Sequence, residues 1–359
     1  MAEGVEQRVV LGHSASQTAR EKAQRFPPVL VMAHPSMVYL AENLVSRVHE
    51  LEMKGETERY RSVELWNNIS WKTFRDKWPN IFIKDVEEIA GRDVIFVASF
   101  DSPSVIFEQL SLIYSLPRYL VRSFRLILPF FPTGTMERVD KEGQVVTAKT
   151  LATMLSQIPL ASRGPAQIII FDIHSLQERF YFSDQVIPRL LTAMSLLVKQ
   201  LRNMEEEGKK VMVVFPDEGA SKRFKSDLED WGANAIICGK VRNGDKRVVA
   251  IKDGDPRGWD VVIVDDLIQT GGTIMECAKV LQERGAASIS VFVTHPVFPG
   301  DSWKTFLPGE SEVLFAKFWV TDSLPRAKDL EGKPPFHVLS LCDVIADSLL
   351  SYDLLFKNA

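Results

Sequence analysis

Two adjacent carboxylates open the stretch of this sequence that is best suited to chemistry. Asp265 and Asp266 follow the apolar, β-branched residues 261–264, a pattern typical of a buried parallel strand. A polar turn comes next, and it consists of Gln269, Thr270, Gly271, Gly272 and Thr273. Glycines let backbone N–H groups approach a phosphate, a helix start adds partial positive charge, and carboxylates accept hydrogen bonds from a vicinal diol. The pattern therefore predicts a site that holds a phosphate together with neighbouring hydroxyl groups.

The elements that must position this turn follow from the hydrophobic pattern. Short β-branched runs alternate with longer segments of helical period, which favours parallel sheets with crossover helices. Strands are predicted near residues 94–98, 125–130, 167–172, 210–215, 235–238, 247–251, 260–264, 288–293 and 313–319. Helices are predicted near residues 36–50, 105–116, 147–155, 190–206 and 273–284. The strand at 260–264 and the helix at 273–284 would hold the polar turn between them.

This alternation indicates an α/β protein with two doubly wound halves. We divide the chain into a flexible N-terminal arm (1–28), a first domain (29–185), a second domain that carries the polar turn (186–335), and a C-terminal helix (336–359). The last segment is expected to pack back on the first domain.

Composition excludes several classes of protein. The formal net charge is −4 over 359 residues, which argues against a nucleic-acid-binding surface. The three cysteines lack metal-ligand spacing, so we expect reduced thiols in an intracellular protein. No apolar run approaches the roughly 18 residues that span a bilayer, and residues 1–28 lack the apolar core of a secretory signal. The sequence thus predicts a cytoplasmic protein that binds neither nucleic acid nor membrane.

The polar turn resembles the phosphoribosyl-binding loop that phosphoribosyltransferases and ribose-phosphate pyrophosphokinases share. An acidic strand end with a threonine cap is the plain structural interpretation, but the full order of residues 261–273 is rare by chance. Two further motifs favour the pyrophosphokinases: residues 171–175 are similar to their Asp-x-His-Ala/Ser element, and residues 213–220 to their Pro-Asp-x-Gly element. The resemblance implies two tandem doubly wound parallel-sheet domains of the type I phosphoribosyltransferase-like fold.

The same resemblance implies roles for residues of these motifs. His174 and Asp217 would hold a Mg²⁺ ion, a sparse ligand set that is expected where water and substrate oxygens complete the shell. A diphosphate would lie on the turn formed by Asp217, Glu218, Gly219 and Ala220. Taken alone, His174 would more often be a structural histidine.

Lys240 and Arg242 match the family's Lys-x-Arg element at the root of a loop that closes over the reacting phosphates. Diphosphoryl transfer builds negative charge on oxygens around the β-phosphorus, so cations placed there stabilise the transition state. A closing loop also excludes water that would hydrolyse ATP. Seen alone, the pair would be a basic strand edge; its position between two matched motifs makes it the predicted catalytic pair.

The likeness is greatest to the plant-type subclass, which does not need inorganic phosphate as an activator. It runs from about Val63 to Asp347, and its diagnostic stretches are residues 102–109, 128–134, 176–182, 244–247 and 294–299. His295 lies in the last of these stretches and is interpreted as structural.

The predicted nucleotide-binding residues depart from the mainstream pattern. Mainstream members bind adenine with a Phe-x-Asp-Gly-Glu loop from one subunit and a Tyr-Ala-Arg-Gln-Asp-Arg wall in another. Here Phe74 and Asp76 remain from the loop, while Arg138 and the acidic Glu137 remain from the wall. Selectivity for adenine, phosphate activation and ADP inhibition therefore do not carry over.

The function implied is transfer of the diphosphoryl group of ATP to ribose 5-phosphate by a Mg²⁺-dependent homo-oligomer. Two alternatives share the fold. A phosphoribosyltransferase that consumes the activated sugar would leave the first domain and its Asp-x-His element unexplained. A non-catalytic regulatory subunit would be expected to lack the catalytic cations or the Asp pair, and this chain retains both.

Overall fold

The computed structural model describes residues 27–54, 62–229, 231–232, 234–243 and 246–350. Its strands are β1 (Val29–Ala33), β2 (Val63–Leu65), β3 (Ile69–Thr73), β4 (Pro79–Ile83), β5 (Asp93–Val97), β6 (Ser123–Ile127), β7 (Ala166–Phe171), β8 (Val186–Leu191), β9 (Val211–Phe215), β10 (Ala235–Asn243), β11 (Lys246–Asp253), β12 (Asp260–Ile268), β13 (Ser288–Pro296), β14 (Lys317–Thr321) and β15 (Phe336–Leu339). Its α-helices are α1 (Val38–Met53), α2 (Pro103–Ser115), α3 (Thr147–Leu155), α4 (Met194–Glu206), α5 (Glu218–Glu229), α6 (Gly272–Glu283), α7 (Ala327–Leu330) and α8 (Cys342–Leu350).

The first sheet is parallel throughout and has the order β2-β1-β5-β6-β7-β8. Its central strands β1 and β5 are buried at every position. Burial on both faces explains why they appear in the sequence as continuous apolar runs. A separate antiparallel hairpin, β3–β4, lies outside this sheet.

The second sheet has the order β11-β10-β9-β12-β13-β14-β15. Its pairs are parallel except for the hairpin β10–β11 at one edge. β9 and β12 are neighbours, with Val214 opposite Ile263. Their carboxyl ends therefore reach the same edge of the sheet, and this brings the segments after Phe215 and Val264 together.

One buried apolar cluster is shared by both sheets. It includes Val31 from β1, Phe215 from β9, Trp319 from β14 and Ile345 from α8. In addition, Arg47 of α1 forms an ion pair with Asp343 of α8, in which Arg47 Nε lies 2.7 Å from Asp343 Oδ1. The last described helix thus packs on the first domain, and the shared core holds the two sheets in a fixed relation.

The structure moves two predicted boundaries. β8 pairs with β7, so the first sheet continues past residue 185 to Leu191. The helix expected from residue 190 consequently begins at Met194. Residues 336–339 do not belong to the C-terminal helix; they form β15, which adds to the edge of the second sheet. Of the predicted arm, residues 1–26 lie outside the described residues, as do residues 351–359 at the other end.

Candidate active site

A cavity of about 1270 Å³ opens at the carboxyl ends of β9 and β12, beside the loop that follows β7. Ligands of open α/β sheets bind at this position. Most of the predicted site residues line it, namely Glu137, Arg138, His174, Asp217, Glu218, Gly219, Ala220, Asp265, Asp266, Gln269, Thr270, Gly271, Gly272 and Thr273. Motifs from both domains therefore meet in one space.

The polar turn after β12 has the backbone of a phosphate-binding loop. Gly271 has φ +82°, in the left-handed region that favours glycine, and a Cβ atom there would overlap the ring of Phe306. α6 begins at the next residue, so the free N–H groups of its first turn face the cavity edge. Backbone geometry and helix polarity together make this turn an anion site.

The carboxylate pair carries concentrated negative charge. Asp266 is buried, and Asp265 Oδ1 accepts a 2.9 Å hydrogen bond from the Asp266 N–H. Burial, followed by the charges of Asp266 and Asp217, raises the pKa of Asp265 well above its ordinary value. A ligand that brings hydroxyl donors or cations to this point would relieve the repulsion.

His174 connects the first domain to this pair. Its Nδ1 lies 2.6 Å from Asp266 Oδ2. That hydrogen bond is the main reason why the pKa of His174 is raised to about 9. In this contact Nδ1 donates to the Asp266 carboxylate. Sequence reasoning placed both residues at a site but did not predict this contact, which joins residues far apart in the chain.

Asp172 fixes the segment that carries His174. It is buried with φ +36°, and its Oδ2 accepts hydrogen bonds from the Ala193 N–H at 2.9 Å and from Thr294 Oγ1 at 2.7 Å. Arg223 Nη2 lies 3.3 Å from the other carboxylate oxygen. Asp172 thus ties the end of β7 to β13 and α5 of the second domain, a positioning role that the sequence did not reveal.

The predicted metal ligands line the same cavity but form a small set. Asp217 Oδ1 accepts a 2.9 Å hydrogen bond from the Ala220 N–H. His174, the other predicted ligand, is hydrogen-bonded to Asp266. Across the described ranges, no group of three or more His, Cys, Asp or Glu side chains is arranged to hold a metal ion. One carboxylate and one imidazole suit Mg²⁺ only if substrate oxygens and water supply most of its ligands, as this ion commonly requires. The residues fit the ion on that condition.

The diphosphate turn is the start of α5. Asp217 caps this helix, and a Cβ atom on Gly219 would lie 3.1 Å from the Asp217 carboxylate. Glu218 is ion-paired with Lys252 of β11. Lys252 also lines the cavity, as do Lys222 and Arg223. None of these three cations was a sequence-based candidate.

The predicted catalytic cations lie on the strand beside this turn. The backbone places Lys240 and Arg242 in β10, paired with Val249 and Arg247 of β11. Their side chains lie outside the part of the structure that is described. Their catalytic role therefore stays a prediction.

The four predicted nucleotide-binding residues separate into two groups. Glu137 and Arg138 line the cavity, and Arg138 Nε donates to Asp140 Oδ1 at 3.1 Å. Phe74 and Asp76 are not among the described residues that line it. They lie in the turn of the β3–β4 hairpin, where Phe74 is 55 % exposed. Within one chain the structure does not bring these two residues to the cavity.

His295 has the environment of a structural residue. It is buried, with Nε2 3.0 Å from the Phe171 carbonyl oxygen and Nδ1 3.0 Å from Ser323 Oγ. Burial lowers the pKa of its imidazole. Both ring nitrogens are engaged, as the sequence-based interpretation expects.

Comparison with known proteins agrees with this fold. Residues 36–158 match the N-terminal domain of ribose phosphate pyrophosphokinase, and residues 187–304 match the phosphoribosyl transferase domain. The chain is 52 % identical to ribose-phosphate pyrophosphokinase 4 of Arabidopsis thaliana over 79 % of this chain and 84 % of that protein. It is 47 % identical to ribose-phosphate pyrophosphokinase 3, chloroplastic, of Oryza sativa subsp. japonica, over 89 % of this chain and 76 % of that one.

A solved structure is similar over nearly the whole chain. The phosphoribosylpyrophosphate synthetase from Mycobacterium smegmatis superposes with a TM-score of 0.74 at 22 % identity, covering 90 % of this chain and 98 % of the other. The architecture is therefore that of two tandem type I phosphoribosyltransferase-like domains. The chain belongs to the ribose-phosphate pyrophosphokinase family, and within it to the plant-type subclass. It is an enzyme, a ribose-phosphate diphosphokinase, and kinases of this type generally require a divalent metal.

Proposed function

We propose that this cavity transfers the diphosphoryl group of ATP to the C1 hydroxyl of ribose 5-phosphate, which gives 5-phosphoribosyl 1-diphosphate and AMP. The observation that carries the proposal is the meeting of three motifs in one cavity: the loop after β12, the turn before α5, and His174 of the first domain. A phosphoribosyltransferase that consumes the product would need the loop but would leave His174 and the first domain without a role.

Ribose 5-phosphate binds at the loop between β12 and α6. The phosphate accepts hydrogen bonds from the backbone N–H groups and from the hydroxyls of Thr270 and Thr273. Asp265 and Asp266 accept hydrogen bonds from the ribose hydroxyls. This arrangement directs C1 toward the neighbouring turn at Asp217, because both segments follow adjacent strands.

ATP binds across from the sugar, with its diphosphoryl group on residues 217–220 and its nucleoside beside Glu137 and Arg138. A bound Mg²⁺ ion would neutralise phosphate oxygens, and His174 and Asp217 are the residues that would hold it. Lys240 and Arg242 stabilise the charge that develops around the β-phosphorus. Positioning and charge neutralisation suffice for transfer of this kind, so no covalent intermediate with the protein is needed.

The decisive experiment measures AMP release from ATP labelled at the α-phosphate, with and without ribose 5-phosphate. Release that depends on the sugar is expected. Release without the sugar would instead indicate a hydrolase, and no release in either condition would indicate a transferase or a regulatory subunit.

The nucleotide wall is completed by a second copy of the chain, in a homo-oligomer. The support is the position of Phe74 and Asp76 on a hairpin outside the cavity of their own chain, where Trp78 is also 59 % exposed. Mixing a Phe74→Ala/Asp76→Ala chain with a Lys240→Ala/Arg242→Ala chain should restore activity if sites are shared. Equal inactivity of the mixture and its components would count against shared sites.

The composition leads us to expect a cytoplasmic location. Among the described helices, none is long and apolar enough to cross a membrane. The name of the Oryza relative, however, places that protein in the chloroplast. Cell fractionation with organelle markers distinguishes cytosol from organelle directly.

A further inference from the structure

Lys252 occupies an irregular position in the hairpin that carries the predicted catalytic cations. In the pairing of β10 with β11, Cys238 is opposite Ile251, whereas the adjacent Ile237 is opposite Asp253. Lys252 is therefore the extra residue of a β-bulge. Bulges next to active sites turn a side chain away from the direction that regular alternation would give it.

The path of the Lys252 side chain requires a glycine on the neighbouring strand. Gly239 is buried, and a Cβ atom at that position would overlap Lys252 Cε and lie 3.0 Å from its Nζ. The aliphatic stem of Lys252 thus crosses the backbone of Gly239. Together, the bulge and the glycine deliver the ammonium group into the cavity wall beside the diphosphate turn.

The ammonium group contacts Glu218 of that turn. Lys252 Nζ donates a hydrogen bond to Glu218 Oε1. The two side chains are 43 % and 60 % exposed, and exposed ion pairs of this kind contribute little to stability. If the Lys252 ammonium exchanged Glu218 for a phosphate oxygen as its partner, little stability would be lost. The interaction with the more highly charged phosphate would be stronger.

Two other cations that line the cavity are held by protein groups. Arg223 is held by Asp172 and by the carbonyl oxygen of Ile173, and Arg138 pairs with Asp140. The lining itself is rich in carboxylates, including Asp217, Glu218 and Asp265 next to the turn. A polyphosphate bound there needs a nearby positive charge, and Lys252 is already placed against the turn.

We propose that Lys252 is a further binding residue for the diphosphoryl group of the nucleotide, and that its ammonium moves from Glu218 to phosphate oxygens when the nucleotide binds. This inference rests on the proposed function, because it takes residues 217–220 as the diphosphate site. It concerns binding, and it adds a third cation to the predicted pair on β10.

The test compares variants by calorimetric titration with Mg²⁺ and an ATP analogue that has a methylene bridge between the α- and β-phosphorus. Lys252→Gln should weaken binding roughly tenfold, the effect of losing one charge-assisted hydrogen bond, while Lys252→Arg should bind within about threefold of wild type. The matched control is Lys279→Gln, which removes an exposed lysine paired with Glu312 outside the cavity and should change nothing. AMP, which lacks the diphosphoryl group, should bind equally to all of these proteins.

Two further variants separate binding from a structural role. Glu218→Gln removes the competing carboxylate and should tighten binding of the analogue several-fold. Gly239→Ala displaces the lysine without removing it and should weaken binding as Lys252→Gln does. If Glu218→Gln weakens binding as much as Lys252→Gln, or if Lys252→Gln behaves as Lys279→Gln, the inference is overturned. The proposed function is judged separately, by sugar-dependent AMP release from the wild-type enzyme.

Discussion

The predicted sugar-phosphate loop of the second domain and the predicted nucleotide wall of the first domain are built differently. The loop is one continuous segment between β12 and α6, and its main groups are backbone N–H groups and two adjacent carboxylates. This wall draws on separate pieces, because Glu137 and Arg138 line the cavity while Phe74 and Asp76 lie on the β3–β4 hairpin, outside its lining. On the proposed function, local backbone groups would recognise phosphate, whereas recognition of the base would depend on side chains that two copies of the chain bring together.

This difference has a consequence for the plant-type subclass. A phosphate site made of backbone groups changes little when neighbouring side chains change, because the N–H groups remain. A base site made of side chains changes with each substitution, and Thr135 and Met136 stand where mainstream members have an Arg-Gln pair. We therefore expect this chain to keep the reaction while its nucleotide selectivity differs from that of mainstream members.

The largest effect on activity is expected from the residues that are predicted to contact the transferred diphosphoryl group. Replacing Lys240 or Arg242 by Ala should lower kcat by about 10²–10⁴-fold, because an electrostatic donor to the transition state is lost. Thermal unfolding should change little. Steady-state rates and melting curves measure the two effects, and a variant that keeps near wild-type kcat would remove that residue from the mechanism.

The sugar side can be separated from the nucleotide side by changing the carboxylate pair. Asp265→Asn combined with Asp266→Asn should weaken ribose 5-phosphate binding by about 10²-fold and ATP binding much less, since two charged acceptors for sugar hydroxyls are lost. Asp301→Asn, an exposed change outside the cavity lining, is the matched control. Calorimetry that finds sugar affinity intact and nucleotide affinity lost would reverse the assignment of the two regions.

The same contrast explains which features could be predicted from the sequence. The strand at 260–264, the turn at 269–273 and the helix after it are contiguous, so local patterns sufficed. β8 was not predicted as a strand because Pro188 and Arg189 interrupt its apolar pattern, although an edge strand tolerates proline. β15 is a four-residue strand that pairing with β14 stabilises.

Contacts between residues far apart in the sequence could not be predicted, because a local pattern contains no information about them. The His174–Asp266 contact joins residues of different domains. The direction of the Lys252 side chain depends on a bulge and on the absence of a side chain at Gly239. The shared core cluster and the packing of α8 on α1 determine how the domains face each other. The hydrophobic periodicity of a single segment predicts neither of them.

A smaller effect, on the pH dependence of stability, is expected from the His174–Asp266 hydrogen bond that links the two domains. The Asp266 hydrogen bond raises the pKa of His174 to about 9, above its ordinary value of about 6.5. Stability from this pair is therefore fully present below about pH 6.5 and is lost as the pH rises through about 9. The side chain is 38 % exposed, so the discounted contribution is roughly 1 kcal/mol or less. Over that interval, the Tm of wild type should fall more than that of His174→Gln; parallel profiles would mean that the pair contributes no stability.

The smallest effects are expected at the nucleotide wall, where discrimination between bases should be weak. Thr135 lines the main cavity, and with Phe130 and Phe131 it also lines an adjoining cavity of about 220 Å³. Apolar contact discriminates purines poorly, whereas a dedicated buried polar partner rejects a wrong base strongly. GTP or another triphosphate should therefore support measurable activity. Strict dependence on ATP would indicate that another residue of the wall, such as Glu137 or Asp76, reads the base.

Activity should also be independent of inorganic phosphate, on the separate ground of membership in the plant-type subclass. Rates with several triphosphates should be measured in phosphate-free buffer and again with phosphate added over a wide range. The two expectations can fail independently. Use of other triphosphates depends on the substitutions at Thr135 and Met136, whereas independence from phosphate depends on membership in the plant-type subclass. An enzyme that is silent until phosphate is added, yet accepts GTP, would mean that the base site changed in this subclass without the regulatory response changing with it. An enzyme active without phosphate but restricted to ATP would mean the opposite, and would assign base selectivity to another residue of the wall, such as Glu137 or Asp76.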